Sequence, residues 1–186
     1  MDVASNYKQF IRLLTAMILA SAVLINLTSC SEDVETPVDP LVGQYKFVSA
    51  ILTTDPIPDV PGLDAGSDVS DIIGGALFGV VTCTNSANTA IELKSTNELY
   101  FICIGESVEE KGGTWSSNST ETEFTLNFSS PPFVQPFSLL LTDVVFDGTT
   151  LTGYAGNLIL PASLVPNAPP GAPIVTFSVD LTFAKQ

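Results

Sequence analysis

Few side chains in this sequence are equipped for chemistry, and its three cysteines come first. Cys30 ends an apolar run over residues 13–27, which follows Lys8 and Arg12 and gives way to Ser31, Glu32, Asp33 and Glu35. A basic start, an apolar core and a thiol at the boundary are the parts of an export signal that ends at an acceptor for lipid. Cys83 and Cys103 are the remaining pair. In an exported chain an even pair reads as a disulfide, because the compartment oxidises thiols; two buried free thiols are the alternative. Closing a loop of about 20 residues is worth roughly 3 kcal/mol in the chain-entropy model.

The rest of the catalytic repertoire is thin. The chain has no histidine, which removes His-based triads, His metal sites and the commonest general base. No Gly-rich phosphate loop, G-x-S-x-G elbow or Cys-x-x-Cys metal spacing occurs. Glu109-Glu110 and Glu121 with Glu123 read as solvated faces rather than a glycosidase pair. Asp55, Asp59, Asp64, Asp68 and Asp71 crowd one stretch, and oxygen ligands of that kind suit Ca²⁺. They lack the spacing of a calcium loop, so turn residues and a helix cap are the plainer reading. No metal or cofactor is expected, and the chain reads as a non-enzyme.

Two features show that residues 13–27 are not a membrane span. The run is about fifteen residues long and is interrupted by Thr15, Ser21 and Asn26. A helix needs about 20 apolar residues to cross some 30 Å of hydrocarbon, whereas a signal core is content with fewer. Leu27, Ser29 and Cys30 occupy the places where a lipobox wants a branched apolar residue, a small residue and the modified thiol. The segment resembles the lipoboxes of gram-negative lipoproteins. That resemblance implies an outer-membrane lipid anchor, with the domain facing the periplasm or the cell surface. Residues 1–29 are then the signal peptide, 30–40 an acidic tether punctuated by Pro37 and Pro40, and 41–186 the folded domain.

Without Asp2, Lys8 and Arg12, nineteen acidic residues stand against four scattered lysines, Lys46, Lys94, Lys111 and Lys185. Nucleic-acid binding needs clustered positive charge to displace counterions, so that partner is excluded. Anionic lipid headgroups are likewise a poor electrostatic partner. The length of the domain suits one hydrophobic core.

The elements that must carry these residues are mostly strands. Residues 41–50 read as the first, with Tyr45, Phe47 and Ile51 on the face opposite Gln44 and Lys46. Residues 55–66 are broken by Pro56, Pro58 and Pro61-Gly62. Val69, Ile72, Ile73, Ala76, Leu77 and Val80 then fall on one face of a helix over 69–80, capped by Ser67 or Asp68. Gly74, Gly75 and Gly79 each cost it about 1 kcal/mol relative to Ala, so packing must hold it.

After Cys83 the period of two returns. Ile91 and Leu93 alternate with Glu92 and Lys94, and 99–104 is apolar on both faces. An acidic loop spans 106–112, and Gly113-Thr114-Trp115-Ser116 opens the next strand. Thr122, Phe124, Leu126 and Phe128 face in, and the strand over 137–146 ends at Asp147-Gly148, the signal of a type I′ hairpin. A return strand covers 149–160. Val175, Phe177, Val179, Leu181 and Phe183 then alternate with Thr176, Ser178, Asp180 and Thr182. Eight strands joined by short turns, with one short helix after the first, predict an all-β, antiparallel up-and-down barrel. A β-sandwich is the alternative.

The chain resembles the lipocalin-like domains of bacterial lipoproteins. The resemblance rests on Leu41-Val42-Gly43-Gln44-Tyr45-Lys46-Phe47-Val48-Ser49, on a helix leading to Cys83, and on Gly113-Thr114-Trp115-Ser116. It implies a small antiparallel barrel and, in better-known members, an apolar ligand inside. Tyr45, Phe47, Trp115, Phe124 and Phe177 are the residues that would line such a site. Two functions follow: an anchored lipoprotein with a structural or protein-interaction role, or a binding module for a small apolar, fatty-acid-like ligand in the barrel. The inward side chains are large, which favours the first.

Replacing Cys30 with Ser is expected to move the protein from the membrane fraction to the soluble fraction. An unchanged need for detergent would show that something other than lipid on Cys30 holds it there.

Overall fold

Alternation of period two decides this architecture. In the computed structural model, which describes residues 39–130 and 132–186, eight alternating stretches form strands. They are β1 (Gly43–Leu52), β2 (Thr89–Leu93), β3 (Glu98–Cys103), β4 (Glu109–Ser117), β5 (Phe124–Phe128), β6 (Phe137–Phe146), β7 (Thr150–Pro161) and β8 (Ile174–Lys185). Each pairs antiparallel with the next, and β8 returns to β1. The result is a closed up-and-down barrel, not a sandwich. Cys30, the signal and the tether up to residue 38 lie outside the described residues.

Closure aligns the inward rows. Across β1, β8 and β7, Ala50 faces Leu181, which faces Gly153; Leu52 faces Val179, which faces Ala155. Tyr45, Phe101, Phe124, Phe128, Phe177 and Phe183 are among the largest fully buried side chains. No polar or charged residue is buried among the described residues, and no buried side-chain N or O lacks a partner. Each buried Leu, Val or Phe contributes about 1.5–3 kcal/mol relative to exposure. Such a core meets the need to fill an eight-stranded barrel.

Bulges shift parts of the alternation. One between Phe47 and Ser49 leaves Val48 53% exposed and turns Ala50 and Leu52 inward. Ile51, predicted on the inner face, is therefore only half-buried. The extra residue reverses every side chain beyond it. Strand β4 starts at Glu109, so the acidic loop predicted over 106–112 is shorter. Its charges point outward and pair across the wall: Lys94 with Glu109 at 2.6 Å and Lys111 with Glu98 at 2.5 Å. Thr122 is exposed, its N–H donating to Asn118 Oδ1, and β5 begins only at Phe124. The Asp147-Gly148 hairpin forms, but only Gly148 has positive φ (95°). The Asp147 carboxylate accepts from the Thr149 and Thr150 N–H groups, which replaces the type I′ geometry.

Helix α1 (Ser70–Leu77) is shorter than the predicted 69–80, and Val80 packs against the core from beyond it. Asp68, not Ser67, receives the Ser70 N–H at 2.9 Å. Ile73 and Leu77 face inward and are buried. The predicted bond between Cys83 and Cys103 is present, with Cα atoms 5.4 Å apart.

Gly113 leaves no room for a side chain against β5. Its φ is 148°, and a Cβ there would lie 1.9 Å from the Asn127 carbonyl oxygen. Gly113→Ala is expected to cost more than about 2 kcal/mol, lowering Tm by roughly 4–8 °C. Gly75→Ala, where a Cβ meets nothing within 4 Å, is the control and should leave Tm unchanged or higher. Thermal unfolding followed by circular dichroism checks both.

Candidate functional site

Of the five aromatic residues suggested for a ligand, Trp115 and Phe124 are the one pair in ring contact with each other. Their ring centroids are 5.9 Å apart, and the indole N–H donates to the Lys94 carbonyl at 3.0 Å. Phe47 stacks on Phe78 at 5.1 Å and meets Phe183 edge-on at 5.8 Å. Tyr45 sits apart, edge-on to Phe146 at 6.4 Å, and donates its hydroxyl hydrogen to the Leu41 carbonyl at 2.9 Å. Phe177 is fully buried. A fourth group, Phe101, Phe128, Phe133 and Phe137, stacks within itself and was not singled out from sequence. Tyr45, Trp115, Phe124 and Phe177 are buried in the core, whereas Phe47 is half-buried and borders open space.

Gly112 shows how tightly one ring is seated. A Cβ there would come within 2.5 Å of the Phe101 ring. Glycine at this position is what lets Phe101 lie flat on β4.

One concavity lies beside α1. Strand β1 pairs with β2 only over Gly43–Tyr45, then diverges from it. Further along that edge, residues 66–70 take over: Val69 N–H donates to the Ala50 carbonyl, and the Ser70 hydroxyl accepts from Ala50 N–H. Between these two contacts an open groove of about 450 Å³ remains. Lys46, Phe47 and Val48 line it from β1, Gly74, Gly75 and Phe78 from α1 and its end, Ser86 from the 3-10 turn before β2, and Thr89 from the start of β2. Two other concavities, of about 620 and 400 Å³, also open outward, one along Tyr154 and Asp180 and one along Glu92 and Glu106.

Of the five residues suggested for a ligand, Phe47 lines this groove; Lys46, Phe78 and Thr89 were not among them. The available signal was the glycine-rich helix. A Cβ on Gly74 would crowd the Phe47 ring at 3.1 Å, and one on Gly79 would meet the Gly75 carbonyl at 2.9 Å. Gly75 has no such neighbour.

The five acids of the 55–71 stretch do not gather. Asp55 accepts from the Ala65 N–H at 2.8 Å, and Asp68 takes the Ser70 hydroxyl and N–H, which hold its carboxyl below the usual range. Among the described residues no three acidic or thiol groups are placed to hold a metal ion.

Set against protein-family models, curated proteins and solved structures, the chain matches none.

Burial pushes the Tyr45 phenol up, with the Asp39 carboxylate adding to the effect. The folded state therefore holds this proton more tightly than the unfolded chain, whose phenol ionises near 10. Its contribution is complete below that pH and falls as pH rises above it. Tyr45→Phe should cost about 1 kcal/mol at neutral pH through the lost hydrogen bond. The variant should also lose less stability than the parent between pH 9 and about 11. Urea unfolding across that range reads both effects.

Proposed function

We propose that this chain is a non-enzymatic lipoprotein, anchored through Cys30, whose barrel is a filled scaffold in a structural or protein-interaction role. The observation that carries this reading is the packing of the interior. Aromatic and aliphatic side chains with exposures near zero occupy the space where a carrier would keep a cavity. Binding sites for drug-sized molecules run to about 300 Å³ or more, and the concavities described above open to the outside. Action then falls to the outer wall and loops.

The junction at Leu27, Ser29 and Cys30 supports an anchor in the outer membrane, with the barrel facing the periplasm or the cell surface. The acidic balance supports a protein or other non-nucleic-acid partner. The absence of histidine from the whole sequence, and exposed positions for Glu109, Glu110, Glu121 and Glu123, support a non-catalytic role.

The test addresses the interior. No apolar compound should co-purify with the protein, and titration with a fluorescent fatty acid should leave buried Phe177 and Leu181 unperturbed by NMR. Saturable one-to-one binding with shifts at those two residues would replace this reading with an apolar carrier.

A further inference from the structure

From the groove beside α1 we infer a ligand site for an anionic amphiphile: a short apolar chain or ring bearing one carboxylate or phosphate. Three observations meet there.

The first is charge. Lys94 and Lys111 are held by carboxylates, and Lys185 donates to the Pro40 carbonyl at 2.6 Å. Lys46 is the one lysine among the described residues with no ion pair or hydrogen bond, in a chain rich in carboxylates, and it lines the groove. Asp71 lines the groove too, without forming an ion pair with Lys46. A charge-assisted hydrogen bond to an incoming anion is therefore still open to Lys46.

The second is the apolar wall. Phe47 and Phe78 stack on one another, and both line the groove, so an apolar group can lie along them. The third is Gly75. A glycine in a helix costs about 1 kcal/mol against Ala, and here neither backbone angle nor crowding demands it. Its effect is to keep helix backbone bare at the groove. A side chain there would fill space that a ligand would use.

This inference rests on the outer-face reading of a filled barrel, yet the two fail separately. The probes are octanoate, octyl phosphate, octanol and octylammonium, each titrated into the purified protein below its micelle concentration. The two anions should bind saturably and about tenfold more tightly than octanol, with octylammonium weakest. Backbone amide shifts should concentrate at Gly75, Phe78 and Thr89. Lys46→Gln should bring the anions down to the level of octanol without changing octanol itself. Asp71→Asn should tighten the anions, and Gly75→Leu should weaken all binding at least tenfold while Tm holds or rises.

Preference for phosphate over carboxylate would point to a phospholipid-like source, and the reverse to a fatty acid; either supports the site. Equal binding of octanol and octanoate, or indifference to Lys46→Gln, would overturn it. So would the absence of shifts at Gly75 and Thr89, a readout independent of whether the leucine variant folds. Shifts at Phe177 and Leu181 instead would overturn both this site and the filled-barrel reading.

Discussion

Everything in this fold depends on β8 being paired along both edges. Its inward row, Val175, Phe177, Val179, Leu181 and Phe183, is almost wholly buried. Strand β7 meets it over Thr150–Pro161 and β1 over Tyr45–Leu52, so one strand joins the last hairpin to the start of the sheet. Removing the edges removes the exposed backbone that an open sheet would present. It also forces the inward side chains of all eight strands into a single column. Their combined volume then determines whether the barrel can hold anything else.

That column was legible because inward and outward residues alternate strictly in β5 and β8, and nearly so in β2 and β7. A period of two is a local property and survives without knowledge of partners. What was not legible are the points where a partner changes the phase. The bulges at Val48 and near Asp143 and Gly156 arise from pairing registers, which no window of sequence contains. Ile51 went to the wrong face for this reason. The Gly113-Thr114-Trp115-Ser116 strand was found, but its start at Glu109 was hidden because charged residues on an outer wall look like a loop.

The groove beside α1 was hidden for a similar reason. It exists because β1 leaves β2 after Tyr45 and residues 66–70 cover the strand only from Ala50 onward. Its volume is a difference between two pairing lengths, and neither can be read from composition. Of the five aromatics proposed to line a ligand, four belong to the buried core and Phe47 is half-buried at the groove. Hydrophobicity marks a core position equally well whether the ring touches a ligand or another ring.

The connection from β1 to β2 is pinned at both ends, and this sets what can move. Near its start, Leu52 N–H donates to the Ser67 carbonyl, Gly66 N–H to the Leu52 carbonyl, and Val69 N–H to the Ala50 carbonyl. Near its end, the Cys83–Cys103 bond fixes it to β3, and Glu106 accepts from the Thr84 N–H and hydroxyl beside it. Helix α1 lies between these fixed points, eight residues long, with two glycines inside it and a third just beyond. Local opening is least costly where propensity is low and no sheet hydrogen bonds need break. Opening of α1 breaks no rung of the barrel and bares Ile73, Leu77 and Phe78. The disulfide limits how far the helix can travel, because it shortens the free chain to the residues between Ser70 and Cys83. Rigidity resides in the closed ladder, and the segment least costly to open is one short helix held at both ends.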